Sequence, residues 1–154
     1  MRIALGCDEA AYHLKEVIKK YLIDLGEEVE DFGVYDTKPS LYPDVAVTVA
    51  KSIVKGKNER GILICGTGIG MAITANKVPG IRAAVCHDLY STERSRKSND
   101  AQIMTLGARV VGEELAKSLV SIWLKFEFQG GESIAKVNRI SEYENEFLSS
   151  GKSF

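Results

Sequence analysis

Short apolar runs rich in β-branched residues alternate along this chain with longer stretches in which apolar positions recur every three or four residues. The first kind predicts strands: "RIALGC" (2–7), "EEVEDFGV" (27–34), "GILIC" (61–65), "IRAAVCH" (81–87) and "IMTLGARVV" (103–111). The second kind predicts helices. In "YHLKEVIKKYLIDLG" (12–26), Leu14, Val17, Ile18, Tyr21, Leu22 and Leu25 share one face, and Gly26 stops the run. The stretch "YPDVAVTVAKSIVKG" (42–56) carries Pro43 at its entry, where a missing N–H does no harm. Further helices are predicted at about 69–77, 89–98 and 113–126, and beyond a "QGG" break 133–150 reads as a last helix, polar enough to be an arm. Strands and helices in strict alternation imply βαβ units with right-handed crossovers around a sheet of five parallel strands.

Composition narrows the picture without changing it. A chain of 154 residues with 45% hydrophobic content can bury one good core and is short for two typical domains, so 1–154 is read as a single domain. Its 20 basic and 21 acidic side chains give no bulk preference for nucleic acid or an anionic membrane. The apolar start is too short for a signal peptide and no stretch approaches a membrane span, which makes a cytoplasmic location the expectation. Cys7, Cys65 and Cys86 are odd in number and lack C-x-x-C spacing, so they are read as thiols and not as a disulfide framework or a zinc site.

In an open parallel sheet, ligands bind at the carboxyl ends of the strands. There the sequence puts Cys7 and Asp8 after strand one, Cys65 and a glycine burst after strand three, Cys86, His87 and Asp88 after strand four, and Gly107 and Arg109 around strand five. Cys7 and Cys86 are expected as small core residues. Asp8 is open between a helix cap and a site carboxylate. His13, within the first helix, is expected as a helix-surface or partly buried residue.

The most informative segment is "GILICGTGIGMAITANK" (61–77). Glycines between a strand and a helix expose backbone N–H groups that hold anions. The spacing fits neither a dinucleotide loop nor a P-loop, so this is a different anion cradle or a tight turn. A thiol at its floor can serve as nucleophile or general base where an adjacent helix N-terminus lowers its pKa. Acyl transfer lacks a recognisable Cys/His/Asn arrangement. Proton abstraction beside a carbonyl suits the loop better, because its donors can stabilise an enediolate.

"GCDEA", "YPD" (42–44), "GILICGTGIGMAITANKVPGIRAAVC" (61–86), "SND" (98–100), "LGARVVG" (106–112) and "FQGG" (128–131) together resemble type B ribose-5-phosphate isomerase and its galactose-6-phosphate isomerase relatives. The resemblance spans nearly the whole chain. It implies a Rossmann-like three-layer α/β/α sandwich, a sugar-phosphate substrate, no metal or organic cofactor, and a homodimer with shared active sites, the pairing into a tetramer left open. About 132–154 would be a C-terminal helix contacting the partner. By motif, Cys65 would be the proton-abstracting base, and Gly66, Thr67, Gly68, Ile69 and Gly70 the loop around the sugar oxygens, with Thr67 orienting thiol or substrate. Asp8 and Asn99 would contact the sugar, Tyr42 would line the pocket, and Arg109 would bind phosphate.

The departures from the family pattern concern the substrate. Glu9 stands where the ribose-phosphate enzymes carry His, Ser98 where their ring-opening His lies, and Glu132 and Lys136 where they place phosphate contacts. Lys136, with Arg139 one turn on, is expected to act in trans. A missing ring-opening acid favours a short acyclic substrate such as erythrose or erythrulose 4-phosphate. Ribose 5-phosphate is the alternative, with His87 as a candidate ring opener. A non-catalytic sugar-phosphate sensor or partner subunit on the same fold is the competing class.

Overall fold

The structure is a computed structural model that describes residues 1–151; the last three residues of the C-terminal segment lie outside them. Five strands, β1 (Arg2–Cys7), β2 (Glu28–Asp31), β3 (Arg60–Cys65), β4 (Ala83–Val85) and β5 (Ile103–Gly107), form one sheet in the order β2-β1-β3-β5-β4. Every neighbouring pair is parallel. The helices are α1 (Tyr12–Asp24), α2 (Tyr42–Val54), α3 (Ile69–Ala75), α4 (Leu89–Lys97), α5 (Glu113–Lys125) and α6 (Ser133–Ser149). Among the described residues, no helix is long and apolar enough to cross a membrane.

Strand alternation sorts the side chains into two cores. Ile3, Leu5, Cys7, Ile62, Ile64, Met104 and Leu106 face Leu14, Ile18 and Leu22 of α1 and Leu119 and Trp123 of α5. Ala4, Leu63, Cys65 and Ile103 face the other way, onto Ala46, Val49 and Ala50 of α2 and Met71 and Ala75 of α3. Burial of each large aliphatic side chain is worth about 2 kcal/mol. The α/β/α layering therefore follows directly from which residues are odd and which are even along each strand. Cys7 and Cys86 are core residues, both fully buried.

Three strands are shorter than their apolar runs. β2 ends at Asp31, short of Val34, although the chain keeps touching β1: the Cys7 N–H donates to Gly33 O, and the Val34 N–H donates to Cys7 O at 3.0 Å. β4 covers 83–85, not 81–87. β5 stops at Gly107 because the N–H groups of Val110 and Val111 both fold back to Gly107 O, at 2.9 and 3.0 Å. Val111 still reaches the core, but from a turn.

Charged groups fix two parts of the frame. Lys15, fully buried on α1, bonds both oxygens of Asp31 at 3.1 and 2.9 Å and Val34 O at 3.0 Å, tying α1 to the end of β2. Burial pushes the Asp31 carboxyl up, but Lys19, Lys15 and the Gly33 N–H outweigh it and hold it below its ordinary range. At the opposite edge of the sheet, Arg60 donates to Trp123 O and Phe126 O at the end of α5, at 2.8 and 3.0 Å. Beyond it, the Gln129 N–H donates to Lys97 O at 3.1 Å, and Glu144 of α6 accepts from the Gly80 N–H at 2.8 Å. Lys97 ends α4 and Gly80 precedes β4, so the arm and α6 attach at the amino ends of the strands.

Candidate active site

β3 delivers Cys65 to the carboxyl edge with its side chain on the α2/α3 face and about 5% exposed. Cys7 ends the neighbouring strand one register position away, paired with Ile64, and so faces the opposite layer. Burial pushes the Cys7 thiol up to about 12, which suits a packing residue. Only Cys65, of the two, looks toward the glycine loop.

The loop after β3 closes over the sulfur. The Gly68 N–H donates to Cys65 Sγ at 3.1 Å, and the Ile69 N–H to Thr67 Oγ1 at 3.3 Å. Gly68 has φ +77°, in the left-handed region that favours glycine, and its carbonyl accepts from the buried Thr105 hydroxyl at 2.8 Å. Thr105 thus anchors the turn from the adjacent strand. Helix α3 starts at Ile69, and its first-turn N–H groups have no partner within the helix. A side chain at Gly70 would collide with Tyr42: an added Cβ would lie 2.6 Å from Cζ and 2.7 Å from Oη. The phenol therefore rests directly on the first turn of α3.

Two more segments converge on this loop. The turn after β5 docks on it through Ala108 N–H to Cys65 O at 2.8 Å and Arg109 N–H to Gly66 O at 3.0 Å. The Arg109 side chain then crosses Gly66, where an added Cβ would meet Cδ and Nε at 3.6 Å each. From β1, Asp8 accepts the Ala11 N–H at 3.1 Å and caps a single 3-10 turn at 9–11. Burial raises its carboxyl above the usual range, while the N–H groups of Ala11, Ala10 and Gly66 pull the other way. Asp8 is both the cap and a neighbour of the loop. Glu9 accepts from the Ser40 hydroxyl and N–H, at 2.7 and 3.1 Å. These bonds, with a smaller contribution from the Arg109 charge, hold Glu9 below its ordinary range.

Asp8, Glu9, Tyr42, Cys65, Gly66, Thr67, Gly68, Ile69, Gly70 and Arg109 are thus gathered at one edge. Ser98, Asn99 and Lys136 are not. Ser98 caps the end of α4, where its hydroxyl is bonded by Arg94, and Asn99 O accepts from Arg82 Nε at 2.9 Å, just before β4. Lys136 is exposed on α6. Ile103 pairs with Gly61 and Gly107 with Cys65, so four steps of about 3.3 Å, roughly 13 Å, separate that edge from the thiol. Within one chain Ser98 and Asn99 share no site with Cys65, and α6, which carries Lys136, attaches at the same amino edge through Glu144. Arg139, one turn beyond Lys136, bonds Glu142 at 2.6 Å and Tyr143 Oη at 3.1 Å.

Sequence reasoning overlooked Ser40 and Thr105. Ser40 sits in an irregular loop with no periodic signal. Thr105 was detectable, as a lone hydroxyl within the buried run "IMTLG".

The family model for Ribose/Galactose Isomerase matches residues 3–140. The chain belongs to this family. It is 54% identical over 147 residues to a D-erythrulose-4-phosphate isomerase of Pectobacterium atrosepticum, covering 95% of this chain and 97% of that one. To a ribose-5-P isomerase B of Listeria innocua it is also 54% identical, over 142 residues, covering 92% of this chain and 96% of that one. The solved structure of Clostridium thermocellum ribose-5-phosphate isomerase B superposes with a TM-score of 0.94 at 48% identity, covering 96% of this chain and 99% of that one. The ribose/galactose isomerase fold accounts for the parallel five-stranded sheet and its helices.

Proposed function

We propose that this ribose/galactose isomerase family member interconverts an aldose phosphate and a ketose phosphate through a cis-enediolate, with Cys65 as the base. The observation that carries the reading is the buried Cys65 sulfur under a loop of backbone donors, with Asp8, Tyr42 and Arg109 converging around it. The Cys65 thiolate takes the proton from the carbon beside the carbonyl, and the C–H electron pair becomes the enediolate double bond as the carbonyl oxygen takes up negative charge. N–H groups of the 66–70 loop stabilise that charge. The proton returns to the neighbouring carbon, and the hydroxyl proton moves between the two oxygens, which exchanges carbonyl and hydroxyl. Asp8 holds sugar hydroxyls and Arg109 the phosphate.

The substrate follows from Ser98. An aldotetrose 4-phosphate has its O4 esterified and cannot close a five-membered ring, so it needs no ring-opening acid. This chain carries Ser98 at the position where the ribose-phosphate enzymes place a His, and the first relative above acts on D-erythrulose 4-phosphate. Erythrulose 4-phosphate with its aldose is therefore the substrate pair proposed. Ribose 5-phosphate is the second reading, supported by the equally similar Listeria relative. His87 does not serve as its ring opener through Nε2, since that nitrogen accepts the Gly107 N–H at 2.9 Å.

The working unit is proposed to be a cytoplasmic homodimer in which 1–154 acts as one domain. Ser98 and Asn99 lie at the amino edge, where α6 with Lys136 also attaches, and in this proposal all three serve the Cys65 site of a second copy. The chemistry is tested by incubating the protein with erythrulose 4-phosphate in D2O and following the substrate carbons by NMR. Deuterium should enter at the carbon that loses its proton, and entry should cease in Cys65→Ala; equal exchange in the two proteins contradicts the assignment.

A further inference from the structure

His87 is a crevice residue that the mechanism leaves unused. The β4–β5 ladder runs Ile103 N–H to Arg82 O at 3.3 Å and Cys86 N–H to Thr105 O at 3.0 Å. In a parallel ladder the rung two residues further on would take the Gly107 N–H to the carbonyl of residue 86. Strand β4 has ended by then, and Asp88 caps α4 through the Ser91 N–H at 2.7 Å. The imidazole takes the vacant place: Gly107 N–H donates to His87 Nε2 at 2.9 Å.

Gly107 is where the turn after β5 is fastened. Its carbonyl receives both Val110 and Val111, and its Cα lies so close to Thr67 that an added Cβ would come within 2.8 Å of that residue's backbone. The next two residues bond Cys65 O and Gly66 O. We propose that His87 is a positioning residue for the isomerase: its neutral ring, protonated on Nδ1, replaces the missing strand carbonyl and holds the turn that carries Arg109 against the Cys65 loop. The functional consequence rests on the isomerase reading given above; the clamp itself does not.

A protonated ring cannot accept this bond. Partial burial keeps the ring below its ordinary pKa, and the neighbouring Asp88 opposes that shift. The other charged groups at this edge are Arg109 on the facing turn and Asp8 and Glu9 across the loop. A His87→Gln variant keeps an acceptor at the end of the side chain and loses the titration.

The test combines imidazole 15N NMR of the wild-type protein with kinetics of His87→Ala and His87→Gln on erythrulose 4-phosphate. At pH 7.5 Nε2 should be unprotonated and Nδ1 protonated, and the Gly107 amide should shift as the ring titrates below pH 6.5. His87→Ala should raise KM about tenfold, the scale of one buried donor left without its acceptor, with a smaller fall in kcat. His87→Gln should return KM to within threefold. Wild-type KM should climb as pH falls through the ring's titration, a rise absent in His87→Gln, whereas any contribution from Asp8 persists in both. A ring protonated on Nε2 at pH 7.5, or a KM in His87→Ala within twofold of wild type, overturns the proposal. If the wild-type protein does not turn over sugar phosphates, the isomerase reading fails and the NMR result still decides whether the clamp exists.

Discussion

The Gly68 N–H donates to Cys65 Sγ at 3.1 Å, three residues along the chain, so the glycine loop is folded around the sulfur and not merely placed beside it. Gly68 is in turn fixed by the Thr105 hydroxyl on the neighbouring strand, 2.8 Å from its carbonyl. The Cys65 sulfur and the N–H groups of its glycine loop are therefore positioned together.

Cys65→Ala should lower kcat by at least about a thousandfold with KM changed only a few-fold, because the base acts on the transition state more than on binding. Substrate should protect the wild-type thiol from alkylation. Cys7→Ala and Cys86→Ala, both fully buried, should lower stability by about 1 kcal/mol and leave kcat within twofold. Steady-state kinetics with urea melts separates these outcomes; near-normal turnover in Cys65→Ala would remove the base.

Gly70→Ala sets an added carbon 2.6 Å from the Tyr42 ring, whose residue is about 37% exposed and free to swing outward. The expected result is a KM raised about tenfold with stability changed by less than about 1 kcal/mol, since alanine also suits a helix. On a Tyr42→Ala background the same change should cost much less. A double-mutant cycle gives the coupling directly, and strict additivity would show that the phenol does not sit on the loop during turnover.

Lys15→Met should destabilise the protein by about 2 kcal/mol, because Asp31 loses a buried ammonium but keeps Lys19 and the Gly33 N–H. The pH dependence has a definite sign. Asp31 is held below its ordinary value, so its contribution is present above about pH 4 and lost as pH falls through the folded value. For Lys15 burial lowers the ammonium's pKa, but Glu16 and Asp31 raise it further, so its contribution is present below about pH 10 and lost above the folded value. Urea midpoints across pH should show the acid loss shrinking in Lys15→Met. An unchanged acid limb would mean the pair is not what holds β2 to α1.

Much of this fold was readable because the strand and helix periods are clean and few loops are long. The strand ends were less readable for a physical reason: Val110 and Val111 continue an apolar run, yet Gly107 turns the chain back on itself, and composition does not distinguish a turn packed on the core from a strand. The Cys65 to Gly70 loop, Asp8 and Arg109 were legible because a parallel sheet collects its strand ends. Which thiol faces the loop was set by parity, since Cys7 pairs with Ile64 and so points away. The partner of Glu9 was not legible: Ser40 lies 31 residues away in an irregular segment. The division of Ser98 and Asn99 from the thiol appears only once α4 is seen to run back to the amino edge.

Mixing Cys65→Ala with Lys136→Ala protomers should restore activity if Lys136 serves the site of a second copy. Hybrid dimers then hold one site with both groups intact, and about half the wild-type activity per hybrid is expected. Restoration should follow the rate of subunit exchange. Exchange without any recovery would place the phosphate contacts within a single chain.

The central claim, an isomerase whose Ser98 suits an open-chain four-carbon substrate, is tested most directly by kcat/KM for erythrulose 4-phosphate and for ribose 5-phosphate in the wild-type protein and in Ser98→His. Wild type should prefer the four-carbon substrate by at least about tenfold, and Ser98→His should narrow that gap by improving ribose 5-phosphate turnover. A tenfold preference for ribose 5-phosphate in the wild type, with no gain from the histidine, would contradict the account.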